Sequence, residues 1–342
     1  MLNSSQWKSF LVNEGISVEQ SDLLANYTEQ LTSSGFPVIF ELEHFAVLLG
    51  VEKNYLYRMM YKSREFYRTF KISGKKKKRL INSPYPILSY VQSWIKEHIL
   101  ENIEVSEQAY GYVKSRSILD NAKLHLGCTQ LLKLDFKDFF GHISIHDVKR
   151  VFRDVGFTPK LSYQMAKICS VNGCLPQGAP SSPILSNLIM RKLDNELAHL
   201  SKFHNIKFSR YADDLAFSGE IIPSSFIVMI VKIIESNGFT LNHKKFAHKK
   251  SGQKKMVTGL CITGDRVRVL KKTRREFRQK HHYLMLNKEK SFNGDYGDLD
   301  VLYLDKIIGL GRFIKFIEPN NTFVSKAVED LASLKKELFS IV

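Results

Sequence analysis

The chain is expected to adopt an α+β fold in which an antiparallel sheet, packed with helices, presents an acidic cleft, and in which helical segments occupy both ends of the chain. Three observations predict this. Phe208 to Gly219 reads FSRYADDLAFSG, two runs of strand-forming residues around Ala212-Asp213-Asp214. Leu131 to Phe140 reads LLKLDFKDFF, an apolar run ending at Asp135, as a buried strand does when its last residue emerges at a cleft. Apolar residues recur at helical spacing before residue 60 and again beyond Val257.

Taken in order, Leu24, Tyr27 and Leu31 repeat at helical spacing, Ser33-Ser34-Gly35 breaks the pattern, and Phe45, Leu48 and Leu49 resume it. Residues 61–86 alternate as strands do. Arg79, Leu80 and Ile81 leave a lysine run there, and Pro84 and Pro86 close the segment. Tyr90, Trp94, Ile95, His98 and Ile99 mark an amphipathic helix. Strands are expected at 131–136 and 208–218, a helix after Pro183, and another from Ser224 to Asn237 with Gly238 as its stop. Three C-terminal helices follow. Phe277, His281 and Leu284 share a face of the first, Leu304, Ile307 and Ile308 of the second, and Val324, Ala327, Val328 and Leu331 of the third, with Pro319 before the last.

Composition narrows the class. At 342 residues and 44% hydrophobic, the chain is long enough for two or three lobes. No apolar run approaches the roughly 20 residues of a membrane helix, and MLNSSQWKSF is not a basic region followed by an apolar stretch, so a cytoplasmic bacterial protein without a membrane partner is expected. Cys128, Cys169, Cys174 and Cys261 form no CxxC pair and are read as reduced thiols. The net charge of +17 is concentrated. Lys244 to Lys288 holds 15 lysines and arginines against Asp265 and Glu276, and Lys62 to Arg79 holds 9 against Glu65. Two basic blocks flanking a carboxylate site suit grips on a phosphate backbone.

An isolated Asp-Asp turn would be an ordinary solvated turn. A divalent cation gives the pair a function, because it turns the repulsion of two close carboxylates into coordination. Asp135 lies 78 positions before Asp213 and completes such a site only in a fold that lays their strands side by side. Phosphoryl transfer of the polymerase type uses that arrangement, with two ions activating the attacking hydroxyl and stabilising the leaving group.

Asp135 with YADD at 211–214 resembles the catalytic core of reverse transcriptases, and LPQGAPSSPILSN at 175–187 resembles the loop and helix start between those motifs. The likeness covers about residues 60 to 270. Asn121-Ala122 with His125 fits an NAxxH pattern and Val257-Thr258-Gly259 a VTG pattern, both marks of bacterial retron reverse transcriptases. The resemblance implies a right-hand polymerase fold. Its parts would be an N-terminal helical segment (1–60), fingers (61–130), palm (131–160 and 186–256), a connection (161–185) and a helical, RNA-binding thumb (257–342).

It also implies roles. Asp135 and Asp213 would ligate both of two Mg²⁺ ions, for which Mn²⁺ could substitute, with Asp214 assisting and the carbonyl of Phe136 a further ligand. Phe140 would exclude a ribose 2′-hydroxyl, Gln177 and Gly178 would meet the nucleotide, and Arg79 with Lys77 or Lys78 would clamp the triphosphate. Asp138 would order the triphosphate loop or form a surface salt bridge, and Lys244 or Lys245 would stand by the departing pyrophosphate. Asn121, His125, Val257, Thr258, Gly259, Arg274, Arg275 and Arg278 would bind RNA, with Tyr283 either stacking on an unpaired base or packing inside the thumb. The implied activity copies part of a cognate noncoding RNA with dNTPs into multicopy single-stranded DNA (msDNA), primed from the 2′-hydroxyl of an internal guanosine, in antiphage defence with an effector protein. The alternatives are another bacterial reverse transcriptase, of the group II intron or abortive-infection type, and a noncatalytic RNA-binding scaffold that restrains an effector. The lack of a long C-terminal maturase or endonuclease extension counts against the intron type, and the intact carboxylate set against the scaffold.

Overall fold

The computed structural model describes residues 4–73, 78–286 and 302–339. Lys75, Lys76, Lys77 and Lys288 lie outside the described residues, as does the side chain of Lys78. Helices α1 (Ser4–Asn13), α2 (Val18–Ser33), α3 (Leu42–Leu49) and α4 (Lys53–Tyr61) come first. Leu31, Phe45, Leu49, Leu56 and Met59 are buried, whereas Leu48, expected on the inner face, is 42% exposed and Ala46 takes the inner position. These helices are continuous with the main core, because α4 packs on α9 and Leu31 meets Gly156 at the end of α8.

Strands β1 (Tyr67–Ser73) and β2 (Lys78–Pro84) form the expected antiparallel ribbon, with Ile72 opposite Arg79. Helix α5 (Pro86–His98) follows, with proline in its first turn, where the missing N–H costs nothing. Helix α6 (Ile118–Leu124) starts at a capping box. The Ser117 hydroxyl accepts from the amide of Asp120, whose carboxylate accepts from that of Ser117.

Next come β3 (Gln130–Asp135), α7 (Phe139–His142), α8 (Ile145–Val155), α9 (Pro159–Ile168), α10 (Ser182–Phe203), β4 (Lys207–Tyr211), β5 (Asp214–Gly219), α11 (Ser224–Ser236) and β6 (Ala247–Lys249). Helices α8 and α9 carry no signal used in the sequence reading, although Val148, Val151, Phe152 and Val155 give α8 a buried face. The central sheet is antiparallel throughout, in the order β4-β5-β3-β6. Alternate side chains of a strand point to opposite faces, so the sheet divides two cores. Leu132, Leu134, Leu215 and Phe217 face α10 and α11 in the first, and Leu131 and Ala216 belong to the second.

The second core joins the sheet to a small hairpin, β7 (Met256–Val257) with β8 (Leu260–Cys261), and to α12 (Lys271–Leu286), α13 (Tyr303–Ile317) and α14 (Thr322–Phe339). The helical faces read from the spacing are mostly the buried ones, Phe277 and Leu284, Leu304, Ile307 and Ile308, and Val324, Ala327 and Leu331, with His281 and Val328 half-buried beside them. Each of these full burials other than that of Ala327 stabilises the bundle by roughly 1.5–3 kcal/mol. Gly311 sets how closely the three helices approach, because a Cβ there would lie 2.6 Å from Val328 and 2.8 Å from Phe277. Among the described residues no helix is long and apolar enough to cross a membrane.

Candidate active site

The acidic residues meet at one corner of the sheet. Register places Asp135 opposite Asp214, and Tyr211 opposite Asp214 on the other side. Asp213 occupies the two-residue turn with Ala212, and its carbonyl accepts from the amide of Phe136 at 3.0 Å, tying the turn to the end of β3. The segment after Gly238 runs along the same strand end, with the Asn242 amide donating to the Asp135 carbonyl at 2.7 Å and the Lys137 amide to Thr240 at 2.8 Å. The Asn242 side chain donates to one Asp135 carboxylate oxygen at 3.2 Å, and the Lys245 ammonium pairs with the other. Both lysines open in the sequence are exposed, and it is Lys245 whose ammonium reaches the Asp135 carboxylate.

Asp135 is only 3% exposed, and the charges of its neighbours are costly to bury. Burial and then the charge of Asp135 raise the pKa of Asp213. Burial pushes Asp214 up to about 6, with a hydrogen bond to Asp135 and the charges of Asp213 and Asp135 acting in the same direction and Lys133 opposing them. For Lys245, burial works against the ammonium, yet the Asp135 pair and the charges of Asp213 and Asp214 leave its pKa raised. Among the described residues no three His, Cys, Asp or Glu side chains already converge on one cation position. The corner nevertheless fits divalent cations: it offers hard carboxylate oxygens whose mutual repulsion a cation would relieve.

Around this corner, Asp138 adopts a left-handed conformation (φ 47°), caps α7 and covers Gly141, where a Cβ would strike its carboxylate. Among the described residues it has no ion pair. Phe140 is half-buried at the start of that turn, edge-on to Phe139 with ring centroids 5.3 Å apart. Arg79 is exposed on β2 and acts electrostatically on Asp213. Gln177 binds the ribbon, its carbonyl accepting from the amide of Asn82 at 2.9 Å. Gly178, at φ 118°, is needed for that contact, since a Cβ would lie 2.9 Å from Ile81 and 3.2 Å from the Asn82 carbonyl. Tyr112 was missed by the sequence reading. It too has positive φ (63°), and its pKa is raised first by burial and then by Asp213, with Arg79 opposing, which puts it beside the cleft.

The residues of the NAxxH and VTG patterns, expected to touch RNA, are placed differently. Asn121 and His125 are 1% and 0% exposed. The His125 ring bonds Ser218 at 2.6 Å and Ser209 at 2.7 Å, and the Ser209 hydroxyl donates to Asn121 at 2.6 Å. Ser218 lies on the same face of β5 as Asp214, four residues along, so this network supports the strand that carries the carboxylate. The structure therefore gives Asn121 and His125 a bracing position with no surface open to RNA. Thr258 and Gly259 form the turn between β7 and β8, both at positive φ (46° and 82°), as a two-residue turn of type I′ requires. Val257 is buried, and the Thr258 hydroxyl donates to the Ile118 carbonyl at 3.2 Å, clasping the start of α6. In α12, Arg274 pairs with Glu318 at 3.6 Å and Arg278 lies over the Phe323 ring at 5.2 Å, while Arg275 faces solvent and Tyr283 is 54% exposed, not packed inside the bundle.

Burial holds His125 neutral, with its pKa down at about 4, and Lys207 adds to the shift. An unfolded chain would protonate this histidine near pH 6.5. Stability from the neutral ring is therefore present above that pH and is lost as pH falls toward about 4, a contribution of roughly 3 kcal/mol. The raised pKa of Asp214 acts in the opposite sense, so the comparison must be between variants. Thermal melts from pH 7 to 4 should show a smaller acid loss for His125→Gln than for the wild type. Parallel curves would remove His125 from the acid response.

Residues 69–287 match the reverse transcriptase (RNA-dependent DNA polymerase) family. The retron Ec86 reverse transcriptase of Escherichia coli is 32% identical to the chain over 266 residues, spanning 76% of this chain and 83% of that protein. The retron Mx162 reverse transcriptase of Myxococcus xanthus is 30% identical over 277 residues, 71% of this chain and 56% of its own length. The retron Ec83 reverse transcriptase of Escherichia coli is 29% identical over 259 residues, 70% and 80% of the two chains. The acidic corner of the sheet, the ribbon beside it and these matches agree, and the chain belongs to the bacterial retron reverse transcriptases as an RNA-directed DNA polymerase.

Proposed function

We propose that this polymerase copies part of a cognate noncoding RNA into msDNA, primed from the 2′-hydroxyl of an internal guanosine, by two-metal phosphoryl transfer, and that it serves antiphage defence with an effector protein bound. The observation that carries the chemistry is the meeting of Asp135, Asp213 and Asp214 at one sheet corner with raised pKa values at the latter two. Asp135, Asp213, Asp214 and the Phe136 carbonyl would hold Mg²⁺, or Mn²⁺ in its place. Bound there, the ions would activate the priming hydroxyl and stabilise the leaving pyrophosphate. Arg79, with Lys78, would orient the triphosphate, Asp138 would shape the loop beneath it, and Gln177 and Gly178 would line the nucleotide. Lys245, already paired with Asp135, would supply charge near the pyrophosphate. The β1–β2 ribbon with residues to 130 would act as fingers, the central sheet with α10 and α11 as palm, and residues from 257 as thumb.

The partner RNA would lie on the basic face of α12, where Lys271, Lys272, Arg275 and Arg278 are exposed beside Tyr283. A cleft of about 560 Å³ adjoins it, lined by Leu119 and Lys123 of α6, by Arg266, Arg268 and Arg274, and by Glu318. Shape and unpaired bases would be read there, since the deep groove of an RNA helix is closed to side chains.

Three experiments test these readings. Asp214→Asn removes a half-buried charge repelled by its neighbours, so without metal the variant should melt a few degrees above the wild type at pH 8, while primer extension falls by orders of magnitude. Normal extension in Mg²⁺ would refute the metal assignment. Phe140→Ala, in a folded protein, should let ribonucleotides enter beside deoxynucleotides, and an unchanged sugar preference would return Phe140 to a packing role. Arg275→Glu with Arg278→Glu should abolish synthesis on the native RNA yet spare a generic annealed primer, with a flatter salt dependence of RNA binding. Equal loss on both substrates would make the helix a general duplex grip. Arg274 is kept, because reversing it would set two acids together at Glu318.

A further inference from the structure

Arg210 is fully buried on β4, immediately before the YADD turn, and its whole guanidinium is engaged. Nε and Nη2 donate to the two carboxylate oxygens of Asp194, each at 2.7 Å. Nη1 donates to the Asn187 side-chain oxygen at 3.1 Å and to the Ala212 carbonyl at 3.3 Å. Asn187 and Asp194 are themselves fully buried on α10, and Asn187 donates onward to the Gly111 carbonyl at 2.8 Å. Gly111 in turn lies against the turn, where a Cβ would come within 2.7 Å of the Ala212 amide. The Arg210 main chain is bound as well, its amide to Gln108 and its carbonyl to Tyr110, both at 2.7 Å.

Such a network is a poor source of stability. A buried ion pair can often be exchanged for apolar side chains without loss, since desolvating two charges offsets their attraction. Nor does Arg210 neutralise the acidic corner, because Asp194 already matches its charge and Arg210 shares its face of the sheet with Leu215, opposite Asp214. What the network does reach is the backbone of Ala212. That residue holds a positive φ of 55°, unfavourable for any side chain with a Cβ, and it precedes Asp213. The turn must therefore persist against both its own strain and the repulsion of Asp213, Asp214 and Asp135.

We propose that Arg210, Asp194 and Asn187 form a positioning network that holds the Ala212-Asp213 turn in cation-binding geometry from the far side of the sheet. This rests on the metal reading of the carboxylates given above. Partners placed behind metal ligands are worth about 10- to 100-fold in metal affinity when lost.

The test measures Mn²⁺ binding to the free enzyme by electron paramagnetic resonance, alongside kcat and the KM for dNTP. Arg210→Met with Asp194→Leu removes the pair without stranding a buried charge, and Asn187→Ala leaves the pair but cuts the link to Gly111. Phe45→Leu, remote in the N-terminal helices, serves as a control for lost stability. The expected result is Mn²⁺ binding weakened about 10- to 100-fold and a lowered kcat, with KM little changed, in both network variants and not in Phe45→Leu. Should the double variant fail to fold, Asn187→Ala decides alone. The proposal is overturned if the folded network variants bind Mn²⁺ as the wild type does, or if their losses merely track melting temperature as those of Phe45→Leu do. Asp213→Asn separates the two readings: unchanged Mn²⁺ binding in that variant defeats the metal assignment, whereas its loss there with none in the network variants defeats the network alone.

Discussion

Three carboxylates at one corner of a sheet repel one another, and much of the surrounding architecture serves to hold them there. Antiparallel register puts Asp135 across from Asp214, and the turn between β4 and β5 adds Asp213. Burial intensifies the repulsion by removing water, as the raised pKa values of Asp213 and Asp214 record. The protein answers in three ways. Lys245 pairs with Asp135, the amide of Phe136 ties down the turn, and Arg210 grips the turn from behind.

The sheet is braced from both faces, by different chemistry. On the α10 side the brace is the ion pair of Arg210 with Asp194. On the other it is a neutral network of His125, Ser209, Ser218 and Asn121. In the first, all three guanidinium nitrogens and both Asp194 oxygens are partnered, and in the second both His125 ring nitrogens are, and buried polar groups hold a unique arrangement only when so satisfied. Helix α6 then links this second brace to the β7–β8 hairpin through Thr258, and the same helix lines the cleft beside Arg274. The two short sequence patterns are thus joined by one helix that touches both the catalytic sheet and the basic C-terminal region.

Much of this was legible in the sequence because it follows from local rules. The apolar run ending at Asp135 and the strand formers around Asp213 mark the strands, helical spacing marks α5 and the buried faces of α12 to α14, Pro183 and Gly238 mark the start of α10 and the stop of α11, and clustered lysines and arginines mark where phosphates would be met. The order of LLKLD, LPQG and YADD was enough to identify the family. A signal for the Arg210 network was also present: Asn187 and Asp194 lie seven residues apart, two turns along the buried face of one helix, and Arg210 interrupts a buried strand.

Other features depended on distance in space. Nothing local distinguishes an asparagine that touches RNA from one that braces a strand, and Asn121 and His125 became buried supports only once α6 lay across β4 and β5. The same holds for Lys244 and Lys245, identical neighbours separated only by which ammonium the chain path brings to Asp135, and for Tyr283, whose exposure depends on how α12 packs. The sequence by itself determined which acidic groups the site contains, since Asp135, Asp213 and Asp214 stand in strand contexts whatever their neighbours. The tertiary structure alone decided which residues surround them, because burial, hydrogen-bond partners and pKa are properties of neighbours that the chain brings together from more than 80 positions away.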